Sequence, residues 1–271
     1  MSQNELSTRG ATWMRALTGG TPVAGYGSTL QVIDATVADQ PARYIAVVPD
    51  AENRFPRARN GEVGLVEGWQ LARAVRDVMA ADAGHEKKRA IVAVIDVASQ
   101  AYGRREEAYG IHLALAAAAD AYAAARLAGH PVIGLIVGRA MSGVLLAHGY
   151  QANRLLALDD AEVMVHAMGK AAAARVTLRS VADLERLAQE IPPMAYDIAS
   201  FASLGLLWKL LKVKSADAPQ ASDIDTVQTA LAAALADIEA DPSRGLGSRL
   251  GAPLRSASAE VRKRLRAQWT A

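Results

Sequence analysis

The segment GRAMSGV, residues 138–144, has the residue types and spacing to bind a negatively charged oxygen. It separates the apolar run VIGLIVG from the run VLLAHG, so we expect a strand to end near Gly138 and a helix to begin near Gly143 or Val144. Amides at the start of a helix point outward, and glycine lets a substrate oxygen come close. Two such amides would form an oxyanion hole, worth about 3–4 kcal/mol per donor. The alternative is a tight turn that needs glycines only for its backbone.

Ser142 lies inside this segment, but the pattern around it does not indicate a serine hydrolase. A nucleophile elbow has glycine two residues before and two residues after the serine. Ala140 and Val144 occupy those two positions here. We therefore keep Ser142, Gly143 and Val144 as candidate catalytic residues without a nucleophilic role for the hydroxyl.

Two of the five histidines lie near this turn. His148 follows it on the expected helix, and His166 lies in an apolar strand. Each is either a hydrogen-bonded core histidine or an acid–base group, so His148 is a further candidate catalytic residue. No HExxH or His-x-His spacing occurs, and the chain has no cysteine, so neither a metal site nor a thiol nucleophile is predicted.

A second candidate loop, SQAYG at residues 99–103, follows the apolar run AIVAVIDV. Loops at the carboxyl ends of strands commonly bind ligands in α/β sheets. Arg104 and Arg105 either receive a carboxylate or phosphate, or form a solvated first helical turn with the glutamates that follow. The substrate contacts predicted at the two loops are Gln100, Ala101, Tyr102, Gly103, Gly138, Met141 and His166.

Composition excludes several classes of protein. The 271 residues carry 30 basic and 28 acidic side chains, a net charge of +2, which is too balanced for a typical nucleic-acid binder. The longest Ala-rich segment is interrupted by Asp120 and Arg126, so no bilayer span is predicted. The first 20 residues lack the apolar core of a signal peptide. We expect a cytoplasmic protein with neither a nucleic-acid nor a membrane partner.

Short apolar runs alternate with helical patterns along the first two thirds of the chain. YIAVVPD, AIVAVIDV and VIGLIVG are continuous and β-branched, which is typical of strands covered on both faces. RLLALDD and EVMVHAM predict two further strands, and the order β-α-β-α-β-α-β-β favours a layered α/β fold. We expect one domain over residues 1–271, with an α/β core at about 21–178 and a helical C-terminal region at 179–271.

The helices are bounded by recognisable signals. A helix should end near Ala81, and a long one starting at Arg105 should stop before Gly129 and Pro131. After Lys170 no strand is predicted: Ser180 caps one helix, MAYDIASFASLGLLWKLLKV forms an amphipathic second, and a third begins at the cap Ser222 and ends before Pro242. The tail SAEVRKRLRAQWTA predicts a basic helix.

Residues 90–169 resemble the carboxyltransferase branch of the crotonase superfamily. SQAYG stands where that branch has a Pro-Gly-Ala-Tyr loop, and AMSGV stands where it has a Gly-Gly-Ser-Gly-Gly turn. Several glycines of the family pattern are replaced, and the sequence is more similar to the gamma subunits of malonate decarboxylases. YIAVVPDAENRFPRARNGEVGLVEGW, VMVHAMGKAAAARVT and PPMAYDIASFASLGLLWKLL extend this resemblance over most of the chain.

The resemblance implies a crotonase-like ββα superhelix and an active site shared with a homologous beta subunit. Malonate would be carried as a thioester on the phosphopantetheine-type group of an acyl carrier protein, with an alpha acyl transferase subunit as a possible third partner. The chain itself would bind no cofactor. Loss of CO2 from such a thioester needs neither nucleophile nor metal, because amides that stabilise the enolate oxygen lower the barrier. Gly143 and Val144 would face this oxygen, the departing carboxylate, or the site that biotin occupies in relatives.

Three alternatives stay open at this stage. The chain is also compatible with a biotin-dependent acyl-CoA carboxyltransferase half, or with a non-catalytic scaffold that positions a catalytic partner. A stand-alone hydratase needs carboxylates over the acyl chain, for which only Glu106 and Glu107 are obvious candidates.

Overall fold

A mixed seven-stranded sheet forms the centre of the molecule. The computed structural model describes residues 6–241, 243 and 245–269, so the two ends of the expected domain and Pro242 lie outside the described residues. The strands are β1 (Leu30–Val37), β2 (Gln40–Val47), β3 (Ala90–Val97), β4 (Val132–Met141), β5 (Arg154–Leu158), β6 (Met164–His166) and β7 (Lys209–Leu211). Their order is β1-β2-β3-β4-β5-β7, and only β1 and β2 pair antiparallel.

Helices pack on this sheet, as the alternating pattern predicts. They are α1 (Arg9–Thr18), α2 (Leu65–Ala81), α3 (Arg104–Ala108), α4 (Ile111–Leu127), α5 (Val144–Ala147), α6 (Lys170–Thr177), α7 (Val181–Glu190), α8 (Ile198–Ser203), α9 (Ala221–Ala240) and α10 (Ser256–Gln268). α2 packs against α4, and α1 contacts α9. All eight residues of β3 are buried, as expected for a strand covered on both faces. Within the described ranges, no helix has the length and apolarity to span a bilayer.

β4 is longer than the sequence indicates because it has two successive neighbours. Its first half pairs with β5, and its last three residues pair with β6, so the strand continues past Gly138 to Met141. The register with β3 shifts by two residues between the pairs Ile95–Ile136 and Val97–Ala140. This irregularity brings the β4–α5 turn beside β6.

Asp96 fills the irregular part of the β3–β4 pair. Its carboxylate accepts hydrogen bonds from Ser7 Oγ at 2.6 Å, from Gly10 N at 3.1 Å and from Arg139 N at 3.1 Å. A Cβ on Gly138 would overlap this carboxylate. Glycine at position 138 therefore lets the Asp96 carboxylate lie close to the β4 backbone.

Two strands were not predicted. β1 forms a hairpin with β2 through Ala38 and Asp39, which both have positive φ (48° and 62°). β7 lies inside the segment predicted as one amphipathic helix, so the prediction that strands stop at Lys170 is wrong. α8 ends after six residues, Gly205 turns the chain at φ 70°, and β7 then pairs with β5. Pairing within the sheet outweighs the helical spacing of the leucines.

The predicted helix boundaries are partly confirmed. α2 ends at Ala81, and Ser180 Oγ caps α7 by accepting from Asp183 N at 3.0 Å. The predicted long helix from Arg105 is divided, because Gly110 at φ 82° separates α3 from α4. α9 begins at Ala221, where Asp223 accepts from Gln220 N, so the prediction of Ser222 as its cap is wrong.

The helix α1, absent from the sequence prediction, joins the two ends of the fold. Arg9 is buried and forms ion pairs with Asp160 at 2.8 Å and Asp217 at 2.6 Å. Trp13 is also buried, and its Nε1 donates to Ala216 O at 2.8 Å. α1 is therefore held by contacts with Ala216 and Asp217, more than 200 positions later in the chain.

Candidate functional site

A cavity of about 540 Å³ lies beside the β4–α5 turn. The β3–α3 loop, the turn itself and the end of β6 form its polar side. Five of the residues predicted from the sequence line it: Gln100, Tyr102, Ser142, Gly143 and His166. Gln100 and His166, 66 positions apart in the chain, thus line one cavity, because β3, β4 and β6 end at the same edge of a parallel sheet.

The turn between β4 and α5 is held in an unusual conformation. Ser142 has φ 65°, a region that non-glycine residues rarely adopt, and its N–H donates to His166 O at 2.8 Å. Gly143 follows at φ −66°. The β6 backbone therefore fixes the turn and, with it, the direction of the Gly143 amide.

Three polar side chains surround this turn. Gly143 N–H donates to Gln100 Oε1 at 3.2 Å, and the hydroxyl of Tyr102 lies 3.3 Å from Ser142 Oγ. A Cβ on Gly143 would lie 2.6 Å from Gln100 Oε1, so glycine is needed for this approach. The amide of Gly143 is thus accessible to an oxygen acceptor from the cavity, and Gln100 supplies that acceptor.

His166 lies at the edge of the same cavity. Its ring stacks on Tyr196 at 3.9 Å and 11°, and its Nδ1 lies 2.9 Å from Met168 O, which also accepts from the Tyr196 hydroxyl. Burial lowers the pKa of His166 below its usual value of 6.5. The imidazole is therefore mostly neutral at pH 7.

His148 does not line the cavity, contrary to the prediction for a catalytic residue. It is fully buried: its Nδ1 accepts from the Tyr122 hydroxyl at 3.0 Å, and its Nε2–H donates to Val94 O at 3.1 Å. Burial lowers the pKa of His148 to about 4. Both ring nitrogens are used within the core, so His148 joins α4 to β3 rather than serving the cavity.

The remaining predicted residues do not line the cavity. Gly138 packs on Asp96 in the sheet, and the side chains of Met141 and Val144 are buried beneath the turn. Ala101 faces a second cavity, of about 560 Å³, on the other side of its loop, and Gly103 is the residue before α3. Their contact with substrate stays a prediction.

An apolar wall opposite the polar side was missed by sequence reasoning. It is formed by Leu145, Leu146, Tyr150, Val165, Ala167, Pro192, Pro193, Ala195, Phe201 and Leu204. Phe201 and Leu204 had the spacing of a helix face that packs on a core, and the Pro192–Pro193 pair was the available signal of a loop there. The wall makes the cavity suitable for the apolar part of a ligand whose anionic end meets the turn.

No metal set accompanies this arrangement within the described part of the chain, where no three histidine or acidic side chains are grouped to hold an ion. The chemistry available at the cavity is thus hydrogen bonding from an amide and hydroxyls beside an apolar wall.

Comparison with known proteins identifies the family. Residues 58–269 match the family model MdcE, malonate decarboxylase gamma subunit. The chain belongs to this family. It is 61% identical to a chain of a Pseudomonas malonate decarboxylase hetero-tetramer solved in complex with coenzyme A, with a TM-score of 0.93 over 97% of this chain and 100% of that one. A chain of the Pseudomonas MdcD-MdcE hetero-dimer is 59% identical, with a TM-score of 0.89 over 96% and 99%.

One more distant relative and one protein of the same fold extend the comparison. The malonyl-S-ACP:biotin-protein carboxyltransferase MADD of Malonomonas rubra is 32% identical over 232 residues, 84% of this chain and 76% of that protein. Transcarboxylase 12S, 18% identical with a TM-score of 0.65 over 87% of this chain and 42% of that one, shares the fold. The resemblance, the crotonase-like α/β fold and its helical C-terminal extension are confirmed, and the decarboxylase function is favoured over the biotin-dependent alternative.

Proposed function

We propose that this gamma subunit acts in the cytoplasm with a homologous beta subunit to decarboxylate malonyl thioester on an acyl carrier protein. The partner assignment is supported by the 59% identical hetero-dimer, and the carrier-bound substrate by the name of the 32% identical relative. The chain binds no cofactor of its own in this proposal, because the phosphopantetheine-type group belongs to the carrier. An alpha acyl transferase subunit would load the carrier.

The reaction breaks one carbon–carbon bond. The electron pair of the bond to the carboxylate moves into the thioester, which releases CO2 and leaves an enolate whose oxygen carries the charge. A proton then adds to the α-carbon and gives the acetyl thioester. A donor that binds the charged oxygen more tightly in the transition state than in the substrate lowers the barrier.

One observation carries the proposal. The amide of Gly143 is aimed at a cavity with a polar side and an apolar wall, and it already binds an oxygen there, that of Gln100. Either the enolate oxygen or the carboxylate of the malonyl group would take this position. Tyr102 and Ser142 supply hydroxyls beside it, and neutral His166 lines the same cavity. These groups are our candidates for passing a proton to the product.

The test compares this chain alone, the beta subunit alone and the two mixed, with malonyl-carrier thioester as substrate and CO2 release as readout. We expect turnover only in the mixture. A single chain as fast as the mixture would refute the shared site. Insensitivity of the assembled enzyme to avidin would separate the decarboxylase from the biotin-dependent alternative.

Gly143→Val tests the scaffold alternative. The new side chain would displace Gln100 and cover the amide, so we expect CO2 release by the mixture to fall by about 100-fold or more, as for loss of an oxyanion donor. Assembly, measured by gel filtration, should persist. Gly169→Val is the matched control, because no atom lies within 4 Å of a Cβ at Gly169. An unchanged rate in Gly143→Val would favour the scaffold.

A further inference from the structure

The side chain of Gln100 is hydrogen-bonded to the Gly143 amide, the donor that the proposed reaction uses. Its Oε1 accepts from Gly143 N–H at 3.2 Å, and its side chain lines the cavity. A single N–H makes one strong hydrogen bond, so a substrate oxygen must replace the carboxamide oxygen to use it. We propose that Gln100 is an internal stand-in for substrate, which covers the Gly143 amide in the unliganded protein and is displaced by an anionic oxygen. This inference rests on the proposed function.

The turn does not need Gln100 to keep its shape. Ser142 N–H is bound to His166 O at 2.8 Å, and the carbonyl of Gly143 accepts from Ala147 N at 3.2 Å. These backbone bonds stay in place when the Gln100 side chain rotates away. The Gly143 amide therefore remains aimed at the cavity for an incoming oxygen.

The strength of the bond favours exchange for an anion. The contact at 3.2 Å is at the long end for N–H···O bonds, and both partners are neutral. A carboxylate or enolate oxygen forms shorter bonds of roughly twice the strength with such a donor. A neutral carbonyl offers no such advantage over the carboxamide. Gln100 therefore makes the site selective for the charge of the ligand, because only an anionic oxygen displaces it readily.

The chain contains a matched pair for comparison. Gln70 also accepts from a glycine amide, Gly27 N, at 2.8 Å, but it lies on α2 outside the cavity. Gln70→Ala removes the same kind of bond as Gln100→Ala. Any effect common to both substitutions belongs to the fold rather than to the site.

The experiment uses the full chain, with the Gly143 amide followed by NMR and ligand binding measured by calorimetry. Malonate is the anionic probe and malonamide its neutral counterpart. We expect malonate to shift the Gly143 signal. Gln100→Ala should bind malonate about twofold to tenfold more tightly, the value of one neutral hydrogen bond. Gln100→Glu should bind malonate at least tenfold more weakly with little change for malonamide, because its carboxylate holds the amide and repels the anion. Gln70→Ala should match the unsubstituted chain.

Two results would overturn the inference. Weaker malonate binding by Gln100→Ala would make Gln100 a direct ligand contact, and a Gly143 signal that malonate never shifts would remove the amide from the site. Neither result depends on turnover. If the mixed subunits release no CO2 but malonate shifts the Gly143 signal and binds Gln100→Ala more tightly, the proposed function alone is refuted. If the mixture is active but Gln100→Ala binds malonate more weakly, this inference alone is refuted.

Discussion

His148 shows how much a buried neutral imidazole contributes to the pH dependence of stability. Its folded pKa of about 4 lies below the usual 6.5, so the unfolded chain binds more protons between these two values. The stabilisation is complete above pH 6.5 and is lost as the pH falls towards 4. A difference of this size corresponds to about 3 kcal/mol.

We therefore expect His148→Gln to flatten the fall of unfolding free energy between pH 6.5 and 4. Urea denaturation at a series of pH values measures it. The variant will also be less stable at pH 7, because the Tyr122 hydroxyl and Val94 O lose their partners. His112, which is exposed, provides the control, and His112→Gln should keep the original slope. Parallel slopes in all three proteins would contradict the assignment.

Neutral His166 predicts an acid limb in the activity of the assembled enzyme. Burial lowers its pKa, so the imidazole gains a proton and a positive charge at a lower pH than a free imidazole does. If the neutral ring serves the reaction, kcat should fall as the pH drops through that lowered pKa, and His166→Gln should remove the limb. A pH–rate profile that is identical in both enzymes would exclude His166 from the chemistry.

Among the elements, the β3–β4 pair depends on one glycine. Gly138→Ala would push its methyl group into the Asp96 carboxylate and disturb the bonds to Gly10 and Arg139. We expect a loss of about 2–3 kcal/mol of unfolding free energy, from overpacking and weakened hydrogen bonds. Gly84→Ala is the matched control, since no atom lies within 4 Å of its Cβ position. Equal midpoints of chemical denaturation in both variants would show that the sheet tolerates the methyl group.

The strands show which elements can be predicted from the sequence alone. AIVAVIDV forms β3 residue for residue, because a short, continuous β-branched run is typical of a strand buried on both faces. β7 could not be predicted, since its three residues lie in a helical pattern and form a strand only through pairing with β5. The polar side of the cavity follows from strand ends that sequence identifies. Half of its apolar wall comes from residues 192–204, whose position is set by tertiary packing.

At the scale of the whole molecule, α10 stands apart. Every residue of this 13-residue helix is exposed, and its main contact is with the short turn before it, Pro253–Arg255. Truncation after Arg255 should therefore change the melting temperature by less than about 2 °C, because it removes almost no buried surface. Calorimetry of the isolated chain measures this.

A longer truncation, after Asp241, should behave differently. It also removes Arg249, which is buried and donates to the carbonyls of Tyr150 and Ala152 behind the cavity. We expect a clear fall in the melting temperature, since two buried acceptors lose their donor. Similar melting temperatures for both truncations would show that Arg249 adds nothing to the fold.

The fastening of α1 to Ala216 and Asp217 has a consequence for biosynthesis. Arg9 and Trp13 leave the ribosome early, but their partners are made about 10–40 s later at ordinary rates of translation. The Trp13 indole must wait for Ala216 through that interval, and Arg9 has only its earlier partner Asp160 until Asp217 is made. Cotranslational folding of this subunit therefore cannot finish from the N-terminus onward, because α1 completes its contacts only after Ala216 and Asp217 have been made.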